Sequence, residues 1–173
     1  AAFHTDWYAE TDVLLPPPSG VARAPLADGG ALCQVLPSGS GYDDDSNLKV
    51  FVGLIHAARE RLVITSPYFV PDDALMTAIT SAAQRGVAVT LYSSAVDDQP
   101  LVYHAQRSYY EQLLTAGVEL RLVRAPALLH AKHLTVDDDI AVIGSSNLDM
   151  RSLTLNLEIT LLESDEQSDL VNG

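Results

Sequence analysis

The sequence predicts an α/β fold in which a mixed, largely parallel sheet is flanked by helices. Short apolar runs of strand length alternate with helical patterns from about residue 31 onward. Two of the helical patterns end at a glycine, Gly86 and Gly117, and a valine-led strand run follows each of them directly. Such junctions are typical of βα units, which build parallel sheets. The last three strand-like runs lie too close together for helical crossovers, and so we expect hairpin-like pairing among them.

Composition and charge fix the broad class of the protein. The chain has 173 residues, of which 47% are apolar and 19% charged, as expected for about one globular domain. Its net charge is −13, which argues against a nucleic-acid partner and against docking on anionic lipid through a polybasic surface. The single cysteine, Cys33, excludes an internal disulfide and a zinc site built from cysteines.

The first 29 residues differ in character from the rest. Three prolines and a glycine within residues 16–20 cannot continue a helix or a central strand. We therefore predict a connector over residues 1–29 and the folded domain over residues 30–173. The chain begins without methionine and ends in a polar tail, and so we expect a fragment of a longer protein.

The first predicted elements are a strand, a helix and a second strand. An apolar run at 31–36 predicts the strand, and a polar loop follows at 39–45. Five apolar residues then share one helical face, with Ser46 as the N-cap residue. They are Leu48, Phe51, Val52, Ile55 and Ala58. The run at 62–65 predicts a buried strand.

Two helix–strand pairs and three closely spaced strands complete the prediction. The first helix begins near Asp72 or Asp73, and its apolar face is followed by a strand. That face comprises Leu75, Met76, Ile79, Ala82 and Ala83, and the strand covers 87–92. The second helix covers 101–116 and precedes a strand at 118–123. The remaining strands are predicted at 128–136, 140–143 and 155–162.

The C-terminal third places an imidazole beside an ammonium group. In a strand, His130 and Lys132 point to one face and His133 to the other. A partly buried ammonium is costly unless an anion accompanies it. An imidazole and an ammonium together suit a phosphate, because one group attacks or protonates while the other neutralises charge. A metal site built from His130, His133 and the nearby aspartates is disfavoured by this alternation.

Polar groups after the next strand complete the candidate site. Gly144, Ser145 and Asn147 offer backbone N–H groups, a hydroxyl and an amide, which are donors that a phosphoryl oxygen needs. Glu158 is placed to accept a ring N–H of His130 and so to fix its tautomer. The aspartates at 137–139 have the composition of a hairpin turn.

These residues resemble the signature of the phospholipase D superfamily. The matching residues are His130, Lys132 and, after four intervening residues, Asp137, followed by Gly144, Ser145 and Asn147. Segments at 65–72, 107–110 and 147–152, with Asn156 and Glu158, resemble the second catalytic half of bacterial cardiolipin synthases. The resemblance extends from about residue 3 to residue 162.

The resemblance implies a mechanism that needs no metal and no other cofactor. Two signature halves face one site; the histidine of one half forms a phosphohistidine and the other histidine protonates the leaving alcohol. In the cardiolipin synthase case, two phosphatidylglycerol molecules give cardiolipin and glycerol. His130 is then the nucleophile or the acid, Lys132 and Asn147 bind phosphate with Ser145 and Gly144 in support, and Glu158 orients His130.

Three further residues have predicted roles. Asp137 belongs to the motif, and we expect it to position the strand and loop. Tyr68 is predicted to line an acyl or headgroup path, with core packing as the alternative. Arg151 directly follows the Asn147 loop, and so we predict a role beside the substrate.

The chain carries one signature, and so half of such a site. Either a preceding half completes it, as the resemblance of residues 1–29 to a connector favours, or two copies pair across a twofold axis. We expect the full-length protein on the bacterial cytoplasmic membrane and this chain to be soluble. A homodimeric phosphodiesterase, and a non-catalytic domain that binds lipid headgroups, are the alternatives.

Overall fold

The computed structural model describes residues 2–17, 31–39, 42, 46–96 and 99–164. The chain forms two compact units, Ala1–Gly30 and Ala31–Gly173. The first unit contains one helix, α1, at Ala2–Thr11, and residues 12–17 after it have no regular structure. Proline at 16 and 17 is compatible with that irregular segment. A connecting role for residues 1–29 stays a prediction.

The second unit alternates strands and helices as the sequence predicts. Its elements are β1 (Leu32–Ser38), α2 (Ser46–Ala57), β2 (Arg61–Thr65), β3 (Phe69–Val70), α3 (Asp73–Gln84), β4 (Ala88–Ser94), α4 (Pro100–Ser108), α5 (Tyr110–Ala116), β5 (Glu119–Val123), β6 (His133–Val136), β7 (Ile140–Gly144), β8 (Leu148–Asp149), α6 (Met150–Thr154) and β9 (Glu158–Ser164). None of the helices within the described residues is both long enough and apolar enough to cross a bilayer.

Seven strands form one mixed sheet in the order β1-β9-β7-β6-β2-β4-β5. The α/β class and the mixed sheet are confirmed, but the sheet is not largely parallel. Only β2–β4 and β4–β5 pair in parallel, and the other four pairings are antiparallel. The physical reason is the connections: α3, and then α4 with α5, return the chain for parallel pairing, whereas only a turn of three residues separates β6 from β7.

Three predicted elements have different bounds. Residues 128–132 are irregular, because β7 ends at Gly144 and offers no strand partner beyond the bond from Gly144 N to Lys132 O. The predicted strand at 155–162 begins only at Glu158, because a short helix that was not predicted, α6, and the turn after it come first. Asp149 caps α6 by accepting from Ser152 N. The predicted helix at 101–116 is divided at Tyr109 into α4 and α5.

The core lies between the helices and one face of the sheet. Alternate residues of β2, β4, β6 and β7 point into it, as the period of a strand requires. They are Leu62, Ile64, Val89, Leu91, Leu134, Val136, Ile140 and Val142. The predicted apolar faces of α2 and α3 pack onto the core. Asp72 is the N-cap of α3, accepting from Leu75 N at 2.8 Å.

The strand register brings the ends of several strands together at one edge of the sheet. Thr65 at the carboxyl end of β2 pairs with His133 at the start of β6, which pairs with Ile143 near the end of β7. Gly144 then pairs with Thr160 of β9. We call this the site edge, because the segments 130–132, 144–147 and 158 meet there.

Asp137 anchors the opposite edge. Its carboxylate accepts hydrogen bonds from the backbone N–H groups of Arg59, Glu60 and Arg61 at 3.1, 2.8 and 2.8 Å. Its backbone is left-handed, with φ 52°, a conformation that aspartate and asparagine tolerate better than most residues. Burial raises the pKa of this carboxyl, but the three N–H donors and the charge of Arg59 outweigh it, and the pKa lies below its ordinary value.

Asp137→Asn should lower the free energy of unfolding by about 1–2 kcal/mol at neutral pH, because it removes the charge that three N–H groups stabilise. The folded-state pKa lies below the unfolded value of 3.8, and so the contribution is present above that pH and is lost as the pH falls through the folded-state value. Urea denaturation across pH checks this. Asp139→Asn, an exposed carboxylate of the same turn, is the matched control and should change little. Equal effects of the two variants at every pH would contradict the anchoring role.

Gly144→Ala should destabilise the fold by about 1–3 kcal/mol, because overpacking forces the backbone apart. A Cβ at Gly144 would lie 2.7 Å from Ile159 O and 3.1 Å from Thr160 Cα, within the β7–β9 pairing. Gly53→Ala is the control, since a Cβ there has no neighbour within 4 Å and alanine favours helix α2. Chemical denaturation of both variants should give effects of opposite sign; equal midpoints would count against the close approach.

Candidate active site

His130 and Lys132 lie together at the site edge. Lys132 Nζ donates to the carbonyl oxygen of His130 at 2.7 Å and lies 3.4 Å from His130 Nδ1. The predicted proximity of the two side chains is therefore present. Its cause differs from strand alternation, because residues 128–132 form a loop and only Lys132 is tied to the sheet, through Gly144 N.

Lys132 is half-buried, and two opposite effects act on the pKa of its ammonium group. Burial lowers the pKa of its ammonium group, and the nearby carboxylate of Glu158 partly restores it. The Glu158 carboxylate, at the start of β9, is thus close enough to Lys132 for its charge to act on the ammonium group. A cation in this setting attracts an anion more strongly than a fully solvated lysine does.

Ser145 and Glu158 form a hydrogen-bonded unit. Ser145 Oγ donates to Glu158 Oε2 and accepts from Ile159 N at 3.1 Å, and Ser145 N donates to Ile159 O at 3.1 Å. Glu158 also accepts from Asn156 Nδ2 at 3.4 Å. Within the described chain, the predicted hydrogen bond from His130 to Glu158 is not formed. The strand register sets Ile159 opposite Ser145, which brings the neighbouring Glu158 carboxylate to the Ser145 hydroxyl. His130 lies in an exposed loop before the start of β6.

Asn147 is half-buried beside α6. Its Nδ2 lies 3.4 Å from Ser152 Oγ, and its Oδ1 is buried without a hydrogen-bond partner among the residues that the structure describes. Buried polar atoms are nearly always paired in folded proteins. An unpaired amide oxygen at the site edge is therefore more typical of a site that contacts polar ligands than of a packed core.

Ser66 is a site-edge residue that the sequence analysis did not select. It is fully buried, accepts from Leu148 N at 3.0 Å and donates to the carbonyl oxygen of Tyr68 at 2.6 Å. One hydroxyl thereby joins the loop after β2 to β8, which directly follows Asn147. In the sequence, Ser66 follows a buried strand and precedes a proline. This pattern is common in ordinary turns, and so it did not distinguish Ser66 as a site residue.

Tyr68 and Arg151 line the same pocket. It has a volume of about 390 Å³ and lies between β3, α4 and α6. Both residues were predicted beside the substrate, from different parts of the sequence. The structure brings them together because β3 pairs in parallel with β8.

His133 is built into the sheet. Its Nε2 lies 3.0 Å from Thr65 Oγ1 on the neighbouring strand, and burial lowers the pKa of its imidazole. Within the described part of the chain, no three His, Cys, Asp or Glu side chains are grouped closely enough to hold a metal ion.

Two motif residues do not face the other polar groups. Asp137 lies at the far end of β6, five residues or roughly 17 Å of extended chain from Lys132. This placement agrees with the expectation that Asp137 positions the strand and loop, a role that stays a prediction. Gly144 N donates to Lys132 O, and so this N–H is not available to a substrate phosphate. Gly144 instead allows the close approach of β7 to β9.

The sequence is similar to those of cardiolipin synthases. Residues 51–171 match the family model described as "Cardiolipin synthase, PLD-like domain". Cardiolipin synthase A of Pectobacterium carotovorum is 43% identical over 162 residues, which cover 92% of this chain and 33% of the relative. Cardiolipin synthase A of Yersinia pseudotuberculosis is 41% identical over 163 residues, covering 93% and 33%. The chain thus spans about a third of the length of these curated relatives.

Solved structures share the fold at low sequence identity. NucT from Helicobacter pylori superposes with a TM-score of 0.62 and 20% identity, over 82% of this chain and 91% of that one. Nuc from Salmonella typhimurium, a phospholipase D family member, gives 0.63 and 20%, over 78% and 84%. Phosphatidylserine synthase of Haemophilus influenzae gives 0.60 and 22%, over 82% and 37%.

The structural likeness establishes the fold, and the family model, which covers well over half of the chain, establishes the membership. The motif from His130 to Asp137 lies inside the matched region. The chain belongs to the phospholipase D superfamily, as a phospholipase D-like domain of the cardiolipin synthase family.

Proposed function

We propose that this chain supplies one half of the active site of a cardiolipin synthase-type phosphatidyltransferase. The observation that carries the proposal is the placement of Lys132 Nζ 3.4 Å from His130 Nδ1, in a chain 41–43% identical to cardiolipin synthases over nearly its whole length. The substrate is phosphatidylglycerol, and the products are cardiolipin and glycerol.

The proposed reaction has two displacement steps at phosphorus. In the first, an imidazole nitrogen attacks the phosphodiester, a P–N bond forms, and the P–O bond to the departing glycerol breaks. An acid protonates that glycerol oxygen. In the second, the hydroxyl of another phosphatidylglycerol attacks the phosphohistidine, loses its proton to the same group and regenerates the imidazole. His130 is one of the two histidines, and the other half supplies its counterpart.

The surrounding side chains fit the charge of such a phosphate. Lys132 provides the cation that neutralises a non-bridging oxygen, and Asn147 provides an amide at the same edge. Glu158 opposes the lowering of the Lys132 pKa that burial causes, and Ser145 donates a hydrogen bond to Glu158. This role for Glu158 replaces the orientation of His130 as the one that the contacts support.

The second half is proposed to come from the remainder of a longer protein. The curated relatives are about three times as long as the matched segment, which leaves room for another half and for membrane-associated segments. Membrane association is accordingly proposed for the full-length protein.

A second candidate is a homodimer in which two copies of this chain share one site. The observation that favours it is that the fold covers 91% of the NucT chain, so that a protein of about one half exists with this fold. Native mass measurement separates the candidates: a stable dimer with His130-dependent phosphodiesterase activity favours the second, and a monomer opposes it. A monomer that binds glycerophosphoglycerol but never turns over would favour a headgroup-binding domain.

His130→Ala should reduce cardiolipin formation by about 10³-fold or more when the chain is joined to its partner half, because the nucleophile or acid is lost. The assay follows cardiolipin and glycerol released from phosphatidylglycerol in detergent micelles. His56→Ala is the matched control, since His56 is an exposed histidine near the opposite edge of the sheet, and it should retain full activity. Full activity of His130→Ala would overturn the proposal.

Glu158→Gln should move the alkaline limb of the pH–kcat/KM profile to lower pH. Burial already lowers the pKa of Lys132 from its ordinary 10.5, and Glu158 opposes that effect. Without the carboxylate, Lys132 loses its proton at a lower pH, and phosphate binding is lost there. Glu163→Gln, further along β9, is the control. A shift of the acidic limb instead would show that Glu158 acts on His130.

A further inference from the structure

The pocket beside the site edge has an apolar wall. Its volume is about 390 Å³, within the range of about 300–1,000 Å³ typical of small-molecule sites. The wall is formed by aliphatic and thioether side chains from β3, α4 and α6: Val70, Leu101, Val102, Ala105 and Met150. Polar groups contributed by Tyr68, Gln99, Asp149 and Arg151 complete the lining.

This pocket adjoins the proposed phosphate-binding residues. Asp149 lines it and lies two residues after Asn147, a distance of about 7 Å along an extended chain. On the other side, the loop that carries Tyr68 is tied to Leu148 through Ser66. A ligand with its phosphate at Asn147 therefore has the pocket within the reach of its next few atoms.

The rim of the pocket is apolar and open to solvent. Leu101 is 88% exposed and Met150 is 57% exposed, so the mouth presents hydrocarbon to the surroundings. Arg151 lies at the same mouth, and its guanidinium has no hydrogen-bond or ion-pair partner among the described side chains. Hydrocarbon next to a cation is complementary to an amphipathic anion rather than to a polar metabolite.

We propose that this pocket binds the ester-linked glyceride part of the phospholipid whose phosphate lies at His130 and Lys132. The first carbons of an acyl chain contact Val102 and Met150, and Arg151 offsets the negative charge of the phosphate. The inference rests on the proposed function and adds the place where the apolar part of the substrate is held.

The two methionines of the chain provide the probe. Met150 lines the pocket, whereas Met76 is 4% exposed on the buried face of α3, so methyl-¹³C labelling gives one reporting signal and one internal control. Dihexanoyl phosphatidylglycerol is titrated into the whole 173-residue chain below its critical micelle concentration. Glycerophosphoglycerol, which has the same headgroup and no acyl chains, is titrated in parallel.

The Met150 signal should shift saturably with dihexanoyl phosphatidylglycerol while Met76 stays unchanged, and glycerophosphoglycerol should leave Met150 unmoved. Leu101→Ser should weaken the apparent affinity by at least about fivefold, because an apolar contact is lost. Leu114→Ser is the matched variant, since Leu114 is a leucine 56% exposed on α5 and outside the pocket, and it should leave the affinity unchanged.

No shift of Met150, equal shifts with both ligands, or equal effects of the two leucine variants would overturn the inference. These outcomes are separable from failure of the proposed function, which is decided by the activity of His130→Ala. Loss of turnover in His130→Ala together with an unresponsive Met150 would support the proposed transferase function and reject the pocket as its lipid-binding site.

Discussion

The pairing of β7 with both β6 and β9 determines where the polar groups of the site lie. One register aligns Lys132 with Gly144, through the bond from Gly144 N to Lys132 O, and aligns Gly144 with Thr160. Because a one-residue slip would move each side chain to the other face, this register is what sets Glu158 near Lys132 and Ser145. The absent side chain of Gly144 permits the approach, since any Cβ there would collide with the backbone of β9.

The residues of the histidine–lysine–aspartate motif lie at opposite ends of one short strand, where they make different contacts. At the start of β6, Lys132 and the loop before it present charge and an imidazole to one edge of the sheet. At the end of β6, Asp137 binds the backbone N–H groups that open β2. The two ends are linked through the strand and its neighbours, so the geometry at His130 and Lys132 depends on how firmly the end at Asp137 is held.

Periodic segments were predictable from the sequence, and the short or long-range features were not. The helical faces of α2 and α3 followed from spacing alone. The proximity of His130 to Lys132 was also predicted, but a loop and not strand alternation produces it. Strand direction depends on which neighbours pair, and β1 joins the sheet beside β9, at the other end of the chain. The five residues of α6 and the two of β8 are too few to show a period. The partner of Glu158 was misjudged because it depends on the register between β7 and β9.

The carboxylate cradled by the amides of Arg59, Glu60 and Arg61 has a consequence for how such domains diverge. Under the proposed function, loss of turnover would select against changes at His130, whereas loss of folding would select against changes at Asp137. A duplicated copy released from catalysis would drift at the histidine first and keep the aspartate for as long as it folds. In comparisons among distant copies, a retained aspartate would therefore indicate common descent of the fold, and a retained histidine would indicate that the activity is kept.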